Sequence, residues 1–237
     1  MLTQALAGTG ARVVVIERDA ALAARLRARF DRLRTVTIVE GDALEHSWPD
    51  KPFAVVSNLP FARSGAILAR LLDDPGIPLT RARVIVQWEL AAKHAAVWPA
   101  TLRSTYWRAW YDISIGRRLH RTAFTPPPAV DAAVLRFERL RVARVPIEAH
   151  RGYRRFLATA FATQEPLRRA LRRELSPLQL KRLAAALGFD AGGHARDLDA
   201  EQWSQLFAFA RQGGRLDPAP RTSRREPAAG RCRRGTG

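Results

Sequence analysis

The chain has 237 residues, 47% of them hydrophobic, which is enough for one domain with a real core and a small second one. No apolar run approaches the ~20 residues needed to cross a bilayer, and residues 1–16 lack the basic start and cleavage site of a secretory signal. A formal net charge of +18 points to a polyanion partner, with a generally solvated basic surface as the alternative. Of the 40 basic residues only Lys51, Lys93 and Lys181 are lysine. Arginine binds phosphate bidentately and stacks on bases, though a GC-rich genome produces the same bias. Cys232 is the only cysteine, so an intrachain disulfide is excluded and a cytoplasmic location is the default.

In chain order, Met1–Leu6 reads as the last turns of a helix, and Ala11–Ile16 as a buried strand ending at Glu17. Asp19 caps a helix whose apolar stripe is Leu22, Leu26 and Phe30, with Arg25, Arg27 and Arg29 off it. Val36–Val39 is the next strand, followed by the turn Glu40-Gly41-Asp42-Ala43. Phe53–Ser57 is apolar without polar alternation, the pattern of a buried parallel strand. It runs into Asn58-Leu59-Pro60-Phe61, where Pro60 ends the ladder and Leu59 is held extended. Ser64–Leu72 reads as a helix capped by Ser64, and Ala82–Trp88 as another buried strand. Ser104–Ile115 alternates loosely and carries Tyr106, Trp107, Trp110 and Tyr111; the basic run Arg117-Arg118-Leu119-His120-Arg121 follows. These aromatics and arginines suit RNA stacking and phosphate contact, or else form an amphipathic edge strand with core aromatics. Pro126-Pro127-Pro128 is stiff extended chain, and Ala132–Phe137 is the last strand. Beyond Arg144-Val145-Pro146 the pattern turns helical: Ser176-Pro177 opens one helix that stops at Gly188, and Asp199 opens another. From Gly213 the chain is rich in Gly, Pro and Arg, and its composition predicts disorder. The expected division is therefore residues 1–144, a small helical RNA-binding domain at 145–212 and a basic tail at 213–237.

Asn58-Leu59-Pro60-Phe61 suits one chemical task. An adenine amino group offers two N–H donors, and the Asn58 amide oxygen and Leu59 carbonyl are two acceptors. A phenyl face stacks on a base with roughly 1–3 kcal/mol. Such acceptors draw the amino lone pair out of conjugation and aim it at an electrophile, with no strong base required. Alone, the tetrapeptide is equally a strand-ending turn with a core aromatic.

The tetrapeptide resembles the Asn-(Leu/Ile)-Pro-(Tyr/Phe) motif of the rRNA adenine N6-methyltransferases. Phe124-Thr125-Pro126-Pro127-Pro128-Ala129-Val130-Asp131-Ala132 is similar to that family's Phe-x-Pro-x-Pro-x-Val-Asp-(Ser/Ala) motif. Order and distance match, and the resemblance runs from about Leu2 to about Arg211. It implies an α/β fold, the Rossmann-like sheet of class I S-adenosylmethionine-dependent methyltransferases, plus a small C-terminal helical domain. It implies S-adenosyl-L-methionine as cofactor, with Glu17 on the ribose, Asp42 and Ala43 at the adenine, and Asn58 at the methyl end. Asn58, Leu59, Pro60 and Phe61 take the catalytic role. Phe124 becomes the second wall of the adenine slot, and Arg117, Arg118 and Arg121 become RNA contacts.

The family's first strand and its Gly-x-Gly-x-Leu-Thr turn have no counterpart here except Leu2-Thr3. Gly8-Thr9-Gly10 precedes a strand and does not open a helix, so it does not replace that turn. The expectation is a sheet lacking its first strand, from an N-terminally truncated sequence, with weak cofactor binding and poor solubility. Gln87-Trp88-Glu89 with Ala92 and Lys93, and Trp107–Tyr111 through Phe124, resemble the erythromycin-resistance type of actinomycetes. That type acts on 23S rRNA; the housekeeping type acts on 16S rRNA, and a non-catalytic RNA-binding relative is the third reading. The partner expected is ribosomal RNA, with the chain monomeric and no membrane. No metal is expected, since His46, His94, His120, His150 and His194 lack ligand spacing.

Overall fold

Asp19 opens the first long helix by accepting the backbone N–H groups of Ala21 and Leu22 at 2.8 and 3.0 Å. In the computed structural model, which describes residues 2–213, this is α2 (Ala20–Phe30). It is preceded by α1 (Leu2–Ala7) and β1 (Val13–Glu17) and followed by β2 (Val36–Glu40). β1 and β2 are parallel, with Val13 opposite Val36 and Glu17 opposite Glu40. The buried face of α2 is Ala23 and Phe30 with Leu26 half-buried, while Leu22 is 45% exposed, so Ala23 takes the place expected of Leu22 at the head of the stripe.

The second sheet has the order β3-β4-β6-β5. It is built from β3 (Phe53–Asn58), β4 (Leu79–Gln87), β5 (Tyr111–Leu119) and β6 (Ala132–Arg139). β3 and β4 are parallel; β6 is antiparallel to both β4 and β5. The sheet is thus interrupted between β1 and β3, as expected of a sheet lacking the family's first strand: among the described residues β1 pairs only with β2, and β3 only with β4. This has a consequence for β3. Its residues alternate between half-buried and exposed, with Val56 39% exposed, so it is an edge strand and not the fully buried one its apolar run implies.

α3 (Ser64–Leu72) buries Ile67, Leu68, Leu71 and Leu72. Ser64 is its first helical residue rather than its cap, and its hydroxyl donates to the Pro60 carbonyl at 3.0 Å. α4 (Trp88–Ala95) begins where β4 ends, so Trp88 belongs to a helix and not to the strand. α5 (Leu102–Trp107) is opened by a Thr101–Ser104 capping box. The expected loose strand over 104–115 is therefore half helix. Its four aromatics are core: Tyr106, Trp107, Trp110 and Tyr111 are at most 1% exposed. Their polar edges are satisfied inside, the Trp107 indole by Asp73 at 2.8 Å and the Trp110 indole by the Val145 carbonyl at 2.9 Å. They cannot stack on RNA.

The helical segment comprises α6 (His150–Phe161), α7 (Leu167–Ala170), α8 (Pro177–Leu187) and α9 (Ala200–Gln212). Ser176–Gln179 and Asp199–Gln202 capping boxes open α8 and α9, and Gly188 ends α8 with φ of 72°. Tyr153, Phe156, Trp203 and Phe207 belong to the same apolar cluster as the sheet and α5. Tyr153 meets both Tyr106 and Trp110 with ring centroids 6.1 Å apart. The basic tail from residue 214 lies outside the described residues.

Candidate active site

Parallel pairing sends the last residues of β3 and β4 to one end of the sheet. Asn58 ends β3 opposite Ile85, and the Leu59 N–H donates to the Ile85 carbonyl at 3.1 Å. Leu59 is buried, and Pro60 is extended at φ −60° and ψ 122°. Phe61–Arg63 then forms one tight turn, closed by the Arg63 N–H on the Pro60 carbonyl at 2.9 Å. Asn58 is exposed, and neither its amide nor the Leu59 carbonyl has a hydrogen-bond partner among the described residues. Two acceptors are therefore left open at a rigid strand end. The half-buried Phe61 ring faces Phe124, with centroids 6.5 Å apart and planes at 75°. Two rings distant in sequence thus border the same space.

The carboxylates stand on β1 and β2. Glu17 ends β1, and its Oε1 accepts the Asp19 N–H at 2.9 Å, while Oε2 has no partner among the described residues. Asp42, two residues past β2, is fully engaged: Oδ1 takes the Leu44 N–H at 2.9 Å and Oδ2 takes Arg63 at 2.6 Å. Those two donors, the Leu44 N–H first, hold its carboxyl below the ordinary carboxylate range. Gly41 leaves open space where a Cβ would stand, and Ala43 is half-buried beside it.

The three arginines divide. Arg117 and Arg121 are exposed, with no side-chain ion pair among the described residues. Arg118 is bound within the protein. Its Nε and Nη2 donate to Asp131 at 3.2 and 2.9 Å, and it lies 4.5 Å from the centre of the Trp88 ring. Its guanidinium is a poor candidate for a free phosphate contact. Asp131 also accepts the Arg121 N–H at 3.1 Å, and the Phe124 N–H donates to the Arg121 carbonyl at 3.2 Å. Asp131 thereby fixes the turn that carries Phe124.

Residues 1–212 match the family model described as ribosomal RNA adenine dimethylase. The chain belongs to the ribosomal RNA adenine dimethylase family. It is 32% identical to an rRNA adenine N-6-methyltransferase of Corynebacterium diphtheriae over 69% of this chain and 63% of that protein. The mycinamicin-resistance protein MyrB of Micromonospora griseorubida is 29% identical over 96% of this chain and 73% of its own length. The ribosomal RNA small subunit methyltransferase A of Syntrophotalea carbinolica is 32% identical over 86% and 80%. The solved structure of the 23S rRNA methyltransferase ErmE superposes with a TM-score of 0.74 at 23% identity, covering 87% of this chain and 82% of that one. That likeness shows the class I methyltransferase fold. By family, the chain is an rRNA adenine methyltransferase enzyme, and the family's methyl donor is S-adenosylmethionine.

The dimethylase residues here fit part of such a nucleoside cofactor. Glu17 keeps a free carboxylate oxygen for a ribose hydroxyl, and the space over Gly41 is open. Asp42 can accept an adenine amino group only by sharing or releasing Arg63. Arg63 is the site neighbour that the motifs do not reveal. Arg63 meets Asp42 across 21 positions of sequence, and no periodicity links them. Among the described residues no group of His, Cys, Asp and Glu is arranged to hold a metal, and no helix is long and apolar enough to cross a membrane.

Proposed function

We propose that this chain methylates the exocyclic N6 of an adenine in 23S rRNA and so confers resistance to macrolides, lincosamides and streptogramin B. The observation that carries the chemistry is the strand end where Asn58 and Leu59 leave two acceptors open beside Phe61 and Phe124. When bound, S-adenosylmethionine supplies an electrophilic methyl group. Glu17 and Asp42 hold its ribose and adenine. Phe61 stacks on the target base, and Phe124 limits its tilt from the side. The Asn58 oxygen and the Leu59 carbonyl accept the two amino N–H groups, which draws the nitrogen lone pair out of conjugation with the ring. The proton displaced from that nitrogen leaves to water, since neither acceptor is a strong base. Extruding the base from its stack costs a few kcal/mol, which the ring contacts offset.

The 23S reading is supported by the mycinamicin-resistance relative, which aligns over nearly the whole chain. A second reading, 16S rRNA as substrate, is favoured by the small-subunit methyltransferase relatives at slightly higher identity. In either case the partner is ribosomal RNA, and one chain is the active unit. Expression in a macrolide-sensitive bacterium separates the two. The 23S reading expects joint resistance to macrolides and lincosamides and a primer-extension stop in 23S rRNA. A stop confined to 16S rRNA, without resistance, contradicts it.

A further inference from the structure

We propose that a second pocket, beside the end of β4, reads a nucleobase adjacent to the target adenine. The proposal rests on the methylation reading above. The pocket has a volume of about 240 Å³ and is lined by Gln87, Trp88, Glu89, Arg118, Val130 and Asp131. That is below the roughly 300 Å³ at which sites for drug-sized ligands begin, and it suits one base.

Its position is set by strand register. Asn58 pairs with Ile85, so Gln87 lies two residues further along the neighbouring strand. A rise of ~3.3 Å per residue and a strand spacing of ~4.8 Å put the two about 8 Å apart. A nucleotide next to one seated at Asn58 reaches that far along a splayed strand.

Its charge is the deciding feature. Arg118 and Asp131 neutralise one another through two hydrogen bonds, and the guanidinium is also stacked against Trp88. Asp131's remaining oxygen is taken by the Arg121 N–H. Glu89 has no ion pair or hydrogen bond among the described residues, and the Gln87 side chain has none either. Among the lining side chains Glu89 is thus the one charge left without a counter-charge, a carboxylate on a chain of net charge +18. That carboxylate accepts from a base edge carrying N–H donors, which a phosphate does not offer. Guanine suits it best, because its N1–H and N2–H lie side by side and match the two oxygens of one carboxylate. Gln87 offers a donor and an acceptor to the rest of the edge. Uracil, with no amino group, fits worst.

The test is equilibrium binding to a set of rRNA hairpins that differ only at the two nucleotides flanking the target adenine, with methyl transfer measured on the same RNAs. The wild-type chain is expected to bind guanosine at one flank about tenfold tighter than uridine. Inosine, which lacks the 2-amino group, falls between. Glu89→Gln and Glu89→Ala are expected to flatten that preference to within about twofold, with the melting temperature unchanged. A preference that survives both Glu89 variants, or a wild-type chain that binds all flanks alike, overturns the pocket. Failure of methyl transfer on every RNA sinks the methylation reading instead, and the affinity ratios still decide the pocket.

Discussion

Asn58→Ala is expected to abolish methyl transfer while leaving RNA affinity nearly intact. The Asn58 amide stands exposed at a strand end without a partner, so its loss costs the fold little. Phosphate contacts dominate affinity and do not involve it. Single-turnover kinetics beside filter binding checks this, and more than a few per cent of wild-type turnover contradicts the role. Phe61 separates stacking from bulk: Phe61→Tyr retains activity and Phe61→Leu loses most of it, because the contact needs a ring face. Equal rates for the two variants would make Phe61 a packing residue. Asn58, Leu59, Pro60 and Phe61 were legible because a proline fixes the strand end beside them. The pairing of Phe61 with Phe124 was legible only through the second motif. Arg63 on Asp42, and Arg118 between Trp88 and Asp131, were not, since each contact joins elements brought together by tertiary packing.

Among the elements, the sheet with β3–β6 and the β1–β2 pair differ in how much they bury. Val84, Val86, Leu135 and Phe137 are fully buried on β4 and β6, whereas Val14 on β1 is 49% exposed and α2 contributes only Ala23 and Phe30. Amide hydrogens of β1 and β2 are therefore expected to exchange well before those of β4 and β6. Equal protection in a hydrogen-exchange experiment contradicts this. Strand existence was legible from apolar runs; the exposure of β3 was not legible from its own run of Val and Ala, which looks the same at an edge and in a centre, and followed only from the family resemblance, which leaves β3 without its first-strand neighbour. The aromatics of 106–111 misled for a related reason: basic neighbours mimic an RNA face, while the end of α5, the turn after it and the start of β5 bury all four rings.

α4 also carries a pH response. His94 is 4% exposed and packs on Trp107 with ring centroids 4.8 Å apart, with Nδ1 unpartnered. Burial first, then Lys93 and Arg103, lower its pKa from 6.5 to about 4. The folded state thus disfavours the proton that the unfolded chain accepts. The stability is complete above the unfolded pKa of 6.5 and is lost as pH falls toward 4. The loss is on the order of 3 kcal/mol at most. Thermal melts between pH 7 and pH 4.5 are expected to show a falling midpoint, and His94→Leu to flatten that segment of the curve. An identical slope in the variant contradicts the assignment.

At the scale of the whole molecule, charge and chemistry occupy different places. Net charge of +18 supplies long-range, salt-sensitive attraction to RNA, while the β3 end supplies the two acceptors and the ring. RNA affinity is accordingly expected to fall linearly in log–log with salt, and the Asn58→Ala slope to equal that of wild type. A changed slope places Asn58 among the phosphate contacts. The direct measurement is transfer of labelled methyl from S-adenosylmethionine to protein-free 23S and 16S rRNA, followed by digestion to nucleosides. Label is expected in N6-methylated adenosine from 23S rRNA, and its loss in Asn58→Ala. Label in any other nucleoside, or none with the wild-type chain, contradicts this expectation.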